Sequence, residues 1–186
     1  MNEINIRPAI GADVPAISEL VNSFAARNRM LPRSEAQVSS VLADFLIAED
    51  DNTIIACGSL VALTVGLAEI RSVAVAEAFQ GNGLGGRLVA ALLELARERE
   101  LDHVCALTLR PRLFQRSGFH VVDRWTLTPK IWSECVYCPK FHRCDEVAVL
   151  IHLEEPGQAM ELSPRWTTLA RRVPLPVLRR LGSLLL

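Results

Sequence analysis

The stretch that most constrains this chain runs from Glu69 to Glu100. An apolar strand pattern there meets the run Gln80-Gly81-Asn82-Gly83-Leu84-Gly85-Gly86, and an amphipathic helix pattern follows. Four glycines fall within six positions. The backbone N–H groups of such a loop can approach a ligand with no side chain in the way. The loop also opens onto a helix start, where unpaired amides and the positive end of the helix dipole converge. Such a corner is a site for an anion, and phosphate is the guest expected.

A chain of 186 residues has single-domain length and can bury one core. Half of its residues are apolar, yet no apolar run reaches the roughly eighteen residues of a membrane span. The N-terminus MNEINIRPAI lacks the basic and apolar regions of a signal peptide, so a cytoplasmic location is expected. A net charge of −1 argues against nucleic acid as a partner. The charge is uneven, because residues 157–186 carry five arginines against the single acid Glu161. We therefore read residues 1–155 as one domain and 156–186 as a basic amphipathic extension, with Trp166, Leu169 and Val173 among the arginines and prolines at 164, 174 and 176. The plain expectation for the extension is packing on the domain or on a second subunit, as in a homodimer. Contact with a membrane surface is the sharper alternative.

Five cysteines are present. Cys57 and Cys105 sit alone inside apolar runs and read as small core residues. Cys135, Cys138 and Cys144 lie close together in a cysteine-rich loop at 129–146, with His142 between. A C-x2-C pair with a third cysteine six positions on and His142 between could hold zinc, but a full structural site wants four ligands at suitable geometry, so no metal is assigned. Reduced thiols packed in a tight loop are the alternative.

Along the chain, INIRPA alternates as a first strand. Asp13 is placed to cap a helix with Val14, Ile17, Leu20 and Val21 at helical spacing, running to about Asn28. Pro32 interrupts, and Ser34 with Gln37 makes a capping box for a second helix. FLIAED, the turn Asp51-Asn52 and TIIACGSLVAL give a hairpin, followed by a strand from about Val65 to Val75. The helix after the glycine loop carries Leu84, Leu88, Leu92 and Leu95 on one face. DHVCALTL, a short helix stopped by Gly118, a strand from Phe119 and a last strand in EVAVLIHL complete the pattern. The fold class is α/β (α+β): a mixed, mostly antiparallel central sheet flanked by helices.

From Gly81 the loop spells G-x-G-x-x-G, the dinucleotide fingerprint. That fold needs its fingerprint in the first βαβ unit, and here about eighty residues precede it. From Gln80 the loop spells Q-x-x-G-x-G. With L-F-Q-R-S-G-F at 113–119 in the place of an F-Y-x-x-x-G-F pattern, the chain resembles GNAT acyltransferases over residues 3–153. More narrowly, LPRS at 31–34, ACGSL at 56–60, AEIRSVAV at 68–75 and PKIWSECVYCPKFHRCDEVAV at 129–149 are similar to short N-acetylglutamate synthases.

The resemblance implies acetyl-CoA as co-substrate, held at its pyrophosphate by Gln80, Gly81, Asn82, Gly83, Leu84, Gly85 and Gly86. It places the pantetheine arm along Val73, Ala74 and Val75, where a bulge frees an N–H for the oxyanion. It further implies transfer of acetyl to the α-amino group of L-glutamate, the entry step of arginine biosynthesis. Larger relatives carry an amino-acid-kinase-like domain for which this chain has no room.

Acetyl transfer to an amine needs a neutral nucleophile, so a base must take the ammonium proton. Glu69 matches the family's base position. Two carboxylates on the acceptor require at least two cations, and Arg33, Arg71 and Lys130 match basic positions of the group, with Arg110 and Arg112 in reserve. Strict alternation puts Glu69, Arg71, Val73 and Val75 on one side of their strand and Ile70, Ser72 and Ala74 on the other. The tyrosine that many such enzymes offer to the leaving thiolate is Phe114 here. The only tyrosine, Tyr137, lies in the cysteine loop, so either the thiolate leaves through water, which is the reading preferred, or Tyr137 folds back onto it. The four histidines carry no motif spacing. Rival readings are an acetyltransferase for a different amine and a non-catalytic acyl-CoA sensor.

Overall fold

The structure, a computed structural model, describes residues 4–153. The extension at 156–186 lies outside the described residues.

Among the described residues seven strands form one sheet in the order β1-β2-β3-β4-β5-β7-β6. They are β1 (Asn5–Pro8), β2 (Phe45–Asp50), β3 (Thr53–Ala62), β4 (Leu67–Val75), β5 (His103–Thr108), β6 (His120–Val121) and β7 (Val147–His152). Every pairing is antiparallel except β4 with β5. The helices are α1 (Val14–Ala25), α2 (Glu35–Ser40), α3 (Leu84–Glu98), α4 (Pro111–Gln115) and α5 (Thr128–Ser133).

Several elements follow from local chemistry. Asp51 and Asn52 both adopt positive φ (47° and 60°), as the two-residue turn between β2 and β3 demands. Ser34 caps α2 reciprocally with Gln37: the Gln37 N–H donates to Ser34 Oγ at 3.2 Å and the Ser34 N–H donates to Gln37 Oε1 at 2.9 Å. The expected cap of α1 is different. Asp13 makes no side-chain cap bond to that helix, because its carboxylate accepts from Arg7 at 2.7 and 3.2 Å and from the Ile10 N–H at 2.8 Å. That charged partner outcompetes the helix amides.

Both faces of the sheet are covered. On one, Leu84, Leu88, Val89 and Leu92 of α3 pack with Leu60, Ile70 and Val104, and Phe114 of α4 joins them. On the other, α1 and α2 pack Ile17, Val21 and Val38 against Phe45, Ile47 and Cys57. A third, smaller cluster there combines Cys105 with Leu127 and Ala148. Cys57 and Cys105 are fully buried, and burial pushes both thiols up to about 12, so they behave as core residues.

Strand β4 has an irregularity that organises everything around it. Cys57 pairs with Ala74 and Ser59 with Arg71, so Gly58 alone faces both Ser72 and Val73. Ser72 has φ of 56°, in the left-handed region. This β-bulge reverses the alternation beyond it. Val73 and Val75 consequently join Ile70 against α3, while Ala74 lies with Cys57 against α1. The sequence-based expectation that Val73 and Val75 share the face of Glu69 and Arg71 is corrected on this point. The carbonyls at the bulge accept from β3 side chains, Ser59 Oγ to Arg71 O at 3.3 Å and Cys57 Sγ to Ser72 O at 3.6 Å.

Opposite the bulge, α3 comes close. A Cβ on Gly58 would stand 3.0 Å from Leu92 Cδ1, 3.3 Å from Val73 Cγ2 and 3.4 Å from Leu88 Cδ2. Gly58→Val should therefore overpack this contact and lower stability by about 1–3 kcal/mol, read as a fall in the denaturant midpoint. A midpoint at or above that of the wild type would mean that α3 is free to lift off the bulge.

Candidate active site

Strands β4 and β5 pair over three positions only, Leu67 with His103, Ala68 with Val104 and Glu69 with Cys105. Beyond Glu69 they part, and a cavity of about 1230 Å³ opens between them. Its walls include residues 69–75 of β4, the loop residues Gln80, Gly81, Gly83, Leu84, Gly85 and Gly86, the end of β5, α4, and the segment 130–146. Asn82 is the one residue of the expected loop set that does not line it.

The loop has the anion-binding form. Gly81 and Gly83 take φ of 85° and 79°, and a Cβ at Gly81, Gly83 or Gly86 would meet nothing within 4 Å. The first helical bond of α3 runs from the Arg87 N–H to the Gly83 carbonyl at 3.1 Å. The amides of Leu84, Gly85 and Gly86 are therefore free to face a ligand. Gln80 turns back on the strand, its Nε2 donating to the Val75 carbonyl at 2.7 Å. These features fit a diphosphate at the start of α3.

At the vertex of the opening lies a four-charge cluster. Glu69 Oε2 stands 2.8 Å from Lys130 Nζ and 2.9 Å from Arg71 Nε. Glu134 completes it, 2.7 Å from Arg71 Nη2 and 2.7 Å from Lys130 Nζ. Glu69 and Lys130 are buried, at 4% and 9% side-chain exposure, whereas Glu134 is 36% exposed. Distance and direction disagree for part of this set. The nitrogen–oxygen separations are those of ion pairs, yet Glu69 Oε2 and Arg71 Nε and Nη2 lack a hydrogen bond of good geometry among the described residues. The short distances couple the four charges strongly, and the poor angles leave these atoms able to accept or donate a further polar contact.

The pKa directions follow from this packing. Burial pulls the Lys130 ammonium down, but Glu69 and Glu134 outweigh it and hold the group above the ordinary lysine value. Burial works to raise Glu134, while Lys130 and Arg71 bring it below the ordinary carboxylate range. Glu146, which also lines the cavity, goes the other way: burial and then the negative charge of Glu69 raise it.

The remaining expected residues are distributed around this centre. Arg33 lines the cavity from the connection between α1 and α2. Its backbone is fixed by Ser18 Oγ and Asn22 Nδ2, which donate to its carbonyl at 2.9 and 2.8 Å, and by its own N–H donating to Asn22 Oδ1 at 3.0 Å. The same connection is tied to other parts of the chain by the Arg27–Glu77 ion pair and by Lys140 Nζ donating to the Asn28 carbonyl at 3.3 Å. Arg110 and Arg112 lie on the α4 side of the cavity. Phe114 is buried and packs edge-to-face on Phe119, so no hydroxyl stands at its position, and Tyr137 is 82% exposed. His103 and His152 pack edge-to-face, with ring centroids 4.5 Å apart, across β5 and β7, and neither lines the cavity.

Cys135, Cys138 and Cys144 are free thiols on the cavity wall. Among the described residues no three His, Cys, Asp or Glu side chains converge as a metal site.

Sequence reasoning missed Glu134 and Glu146. Glu134 had a usable signal, since it follows Lys130 at the i+4 spacing of a helix. Glu146 had none, because a carboxylate just before an apolar strand reads as a strand boundary.

The matching family model is the acetyltransferase (GNAT) family, over residues 18–119. The chain belongs to this family. It is 36% identical over 145 residues to an uncharacterised N-acetyltransferase of Chlorobaculum tepidum, covering 78% of this chain and 94% of that one. It is 33% identical over 132 residues to an amino-acid acetyltransferase of Mycobacterium tuberculosis, covering 69% and 75%. A crystal structure of a Mycobacterium tuberculosis protein in complex with CoA is similar with a TM-score of 0.70 and 28% identity, covering 81% of this chain and 99% of that one. The structure is thus that of a GNAT acetyltransferase with the mixed sheet of its fold class.

Glu146 yields a prediction with a definite sign. The folded state holds its proton to higher pH than the unfolded chain, so stability falls as pH rises from the ordinary glutamate range through the raised value. Glu146→Gln removes that loss. It should raise the thermal midpoint near pH 8 and change it little near pH 4, whereas equal shifts at both would contradict the assignment. The depressed carboxylates Asp13, Glu49 and Glu134 lose stability toward acid in both proteins and cancel in the comparison.

Proposed function

We propose that the chain moves acetyl from acetyl-CoA to the α-amino group of an amino acid, with L-glutamate as the acceptor. The observation that carries this reading is the juxtaposition, in one cavity, of an amide-lined anion loop with a buried carboxylate flanked by two cations. The loop suits the diphosphate of a CoA thioester. The relationship to an amino-acid acetyltransferase supports the choice of acceptor class.

In this reading the pantetheine arm lies along β4 beyond Glu69, where the strand has lost its neighbour β5 and its backbone groups on that side can pair with the arm. Acetyl then arrives at the bulge. Glu69 takes a proton from the acceptor's ammonium, directly or through one water, and the freed lone pair attacks the thioester carbonyl. A backbone amide at the bulge, between Val73 and Val75, receives the developing oxyanion. The carbon–sulfur bond breaks and the CoA thiolate leaves. Its thiol has a pKa of about 8.5, so water suffices to protonate it.

Arg33, Arg71 and Lys130 hold the acceptor's carboxylates. Arg33 comes from the connection between α1 and α2, Arg71 from β4 and Lys130 from α5, and the Arg33 side chain forms no ion pair among the described residues. An acceptor with two carboxylates can engage more of these cations than one with a single carboxylate, which favours glutamate over amino acids with one carboxylate.

The decisive assay follows CoA release from acetyl-CoA across a panel of amino acids. Glutamate should be turned over well above leucine, aspartate and glutamine; failure with all of them, alongside acetylation of a bulky cationic amine, would reject the acceptor. Glu69→Gln should lower kcat by about 10²-fold or more with little change in acetyl-CoA affinity. Unchanged rates at every pH would remove it as the base. Arg33→Met should raise the KM for glutamate by about tenfold and leave that for acetyl-CoA nearly constant, in line with loss of a charged hydrogen bond of about 1.5–3 kcal/mol.

A further inference from the structure

Arg71 and Lys130 are not free to receive a substrate as they stand. Glu69 and Glu134 each contact both of them, and two cations with two carboxylates make a neutral cluster. A third carboxylate brought to the same cations would face both acids at short range, where like charges in a partly dehydrated cavity repel strongly. One of the two acids must move aside.

The structure distinguishes them. Glu69 is buried on a strand and paired on both sides, so its carboxylate has nowhere to go. Glu134 lies just past the end of α5, with φ of −138° and ψ of −44°, and more than a third of its side chain meets solvent. A change of side-chain rotamer takes it out of the cluster and into water.

We propose that Glu134 is an intramolecular competitor for the acceptor, a carboxylate of the protein itself that holds the Arg71–Lys130 pair until the acceptor's carboxylate displaces it. This rests on the acceptor reading given above. It adds a selection rule to that reading. A ligand gains the site only by supplying a carboxylate as good as the one it expels, with two short charged contacts. Neutral amides and cationic amines cannot make that exchange. The geometry also keeps Arg71 and Lys130 in fixed positions before the acceptor arrives, so little ordering remains to be done on binding.

The test uses glutarate, a dicarboxylate with no amine, titrated calorimetrically into the full chain saturated with CoA, for wild type, E134Q and E134A. Removing the competitor should tighten glutarate by at least about threefold, because a site occupied part of the time by its own side chain shows a proportionally weaker affinity. The KM for glutamate should fall in parallel, while that for acetyl-CoA stays constant. Unchanged or weaker glutarate binding in folded E134Q and E134A, or no binding in any of the three, overturns the proposal and makes Glu134 a fixed counter-ion. Wild-type protein that turns over no amino acid defeats the acceptor reading instead. The two failures are thus read from different measurements.

Discussion

The parting of β4 from β5 after the Glu69–Cys105 pair is the constraint from which the site follows. A parallel pair that ran the full length of both strands would satisfy every backbone group and leave no cleft. The bulge at Ser72 bends β4 and increases its twist just past the last paired residue, turning it away from its neighbour. The cost is a strand edge with unpaired amides inside the protein, a feature tolerable only if a ligand or water satisfies it. The glycine at 58 makes the bend compatible with close packing, because α3 comes so near that a side chain there would meet Leu92.

The charges gathered at that vertex are as consequential as the backbone. Taken from water, four ionised groups are costly, and they persist because each is matched by an opposite partner below 3 Å. Removing Glu69 or Lys130, the two buried members, strands the other, with a typical penalty of about 3–5 kcal/mol for a buried pair. Glu146 shows the opposite outcome for a carboxyl in the same cavity that lacks such matching, since burial and the charge of Glu69 favour its neutral form. The cavity therefore contains acids in two electrostatic settings, one held ionised and one pushed toward its protonated form.

Much of this was legible in the sequence because it depends on local rules. The glycine loop, the Ser34–Gln37 capping box, the Asp51-Asn52 turn and the buried face of α3 are each decided within a few residues, and the structure has them where the pattern placed them. The meeting of Glu69 with Lys130 was out of reach of any such rule, since sixty-one positions separate them and only the resemblance put both at one site. The phase of β4 was misread because a bulge leaves no mark on the alternation it interrupts. Asp13 looked like a cap until Arg7, six residues earlier, took its carboxylate. Helix α5 was missed as an element because six residues carrying one proline show too little periodicity to declare themselves, and with the helix unread the i,i+4 spacing of Lys130 and Glu134 had no frame in which to count.

Peptide-level hydrogen–deuterium exchange on the full chain, with and without acetyl-CoA, addresses the relation between the opened strand and the loop most directly. Binding should slow exchange together at residues 72–76 and 81–87, the exposed edge of β4 and the start of α3, with smaller effects on β2 and β7. Protection confined to other segments, with these two unaltered under saturating acetyl-CoA, would contradict the cleft as the seat of the thioester.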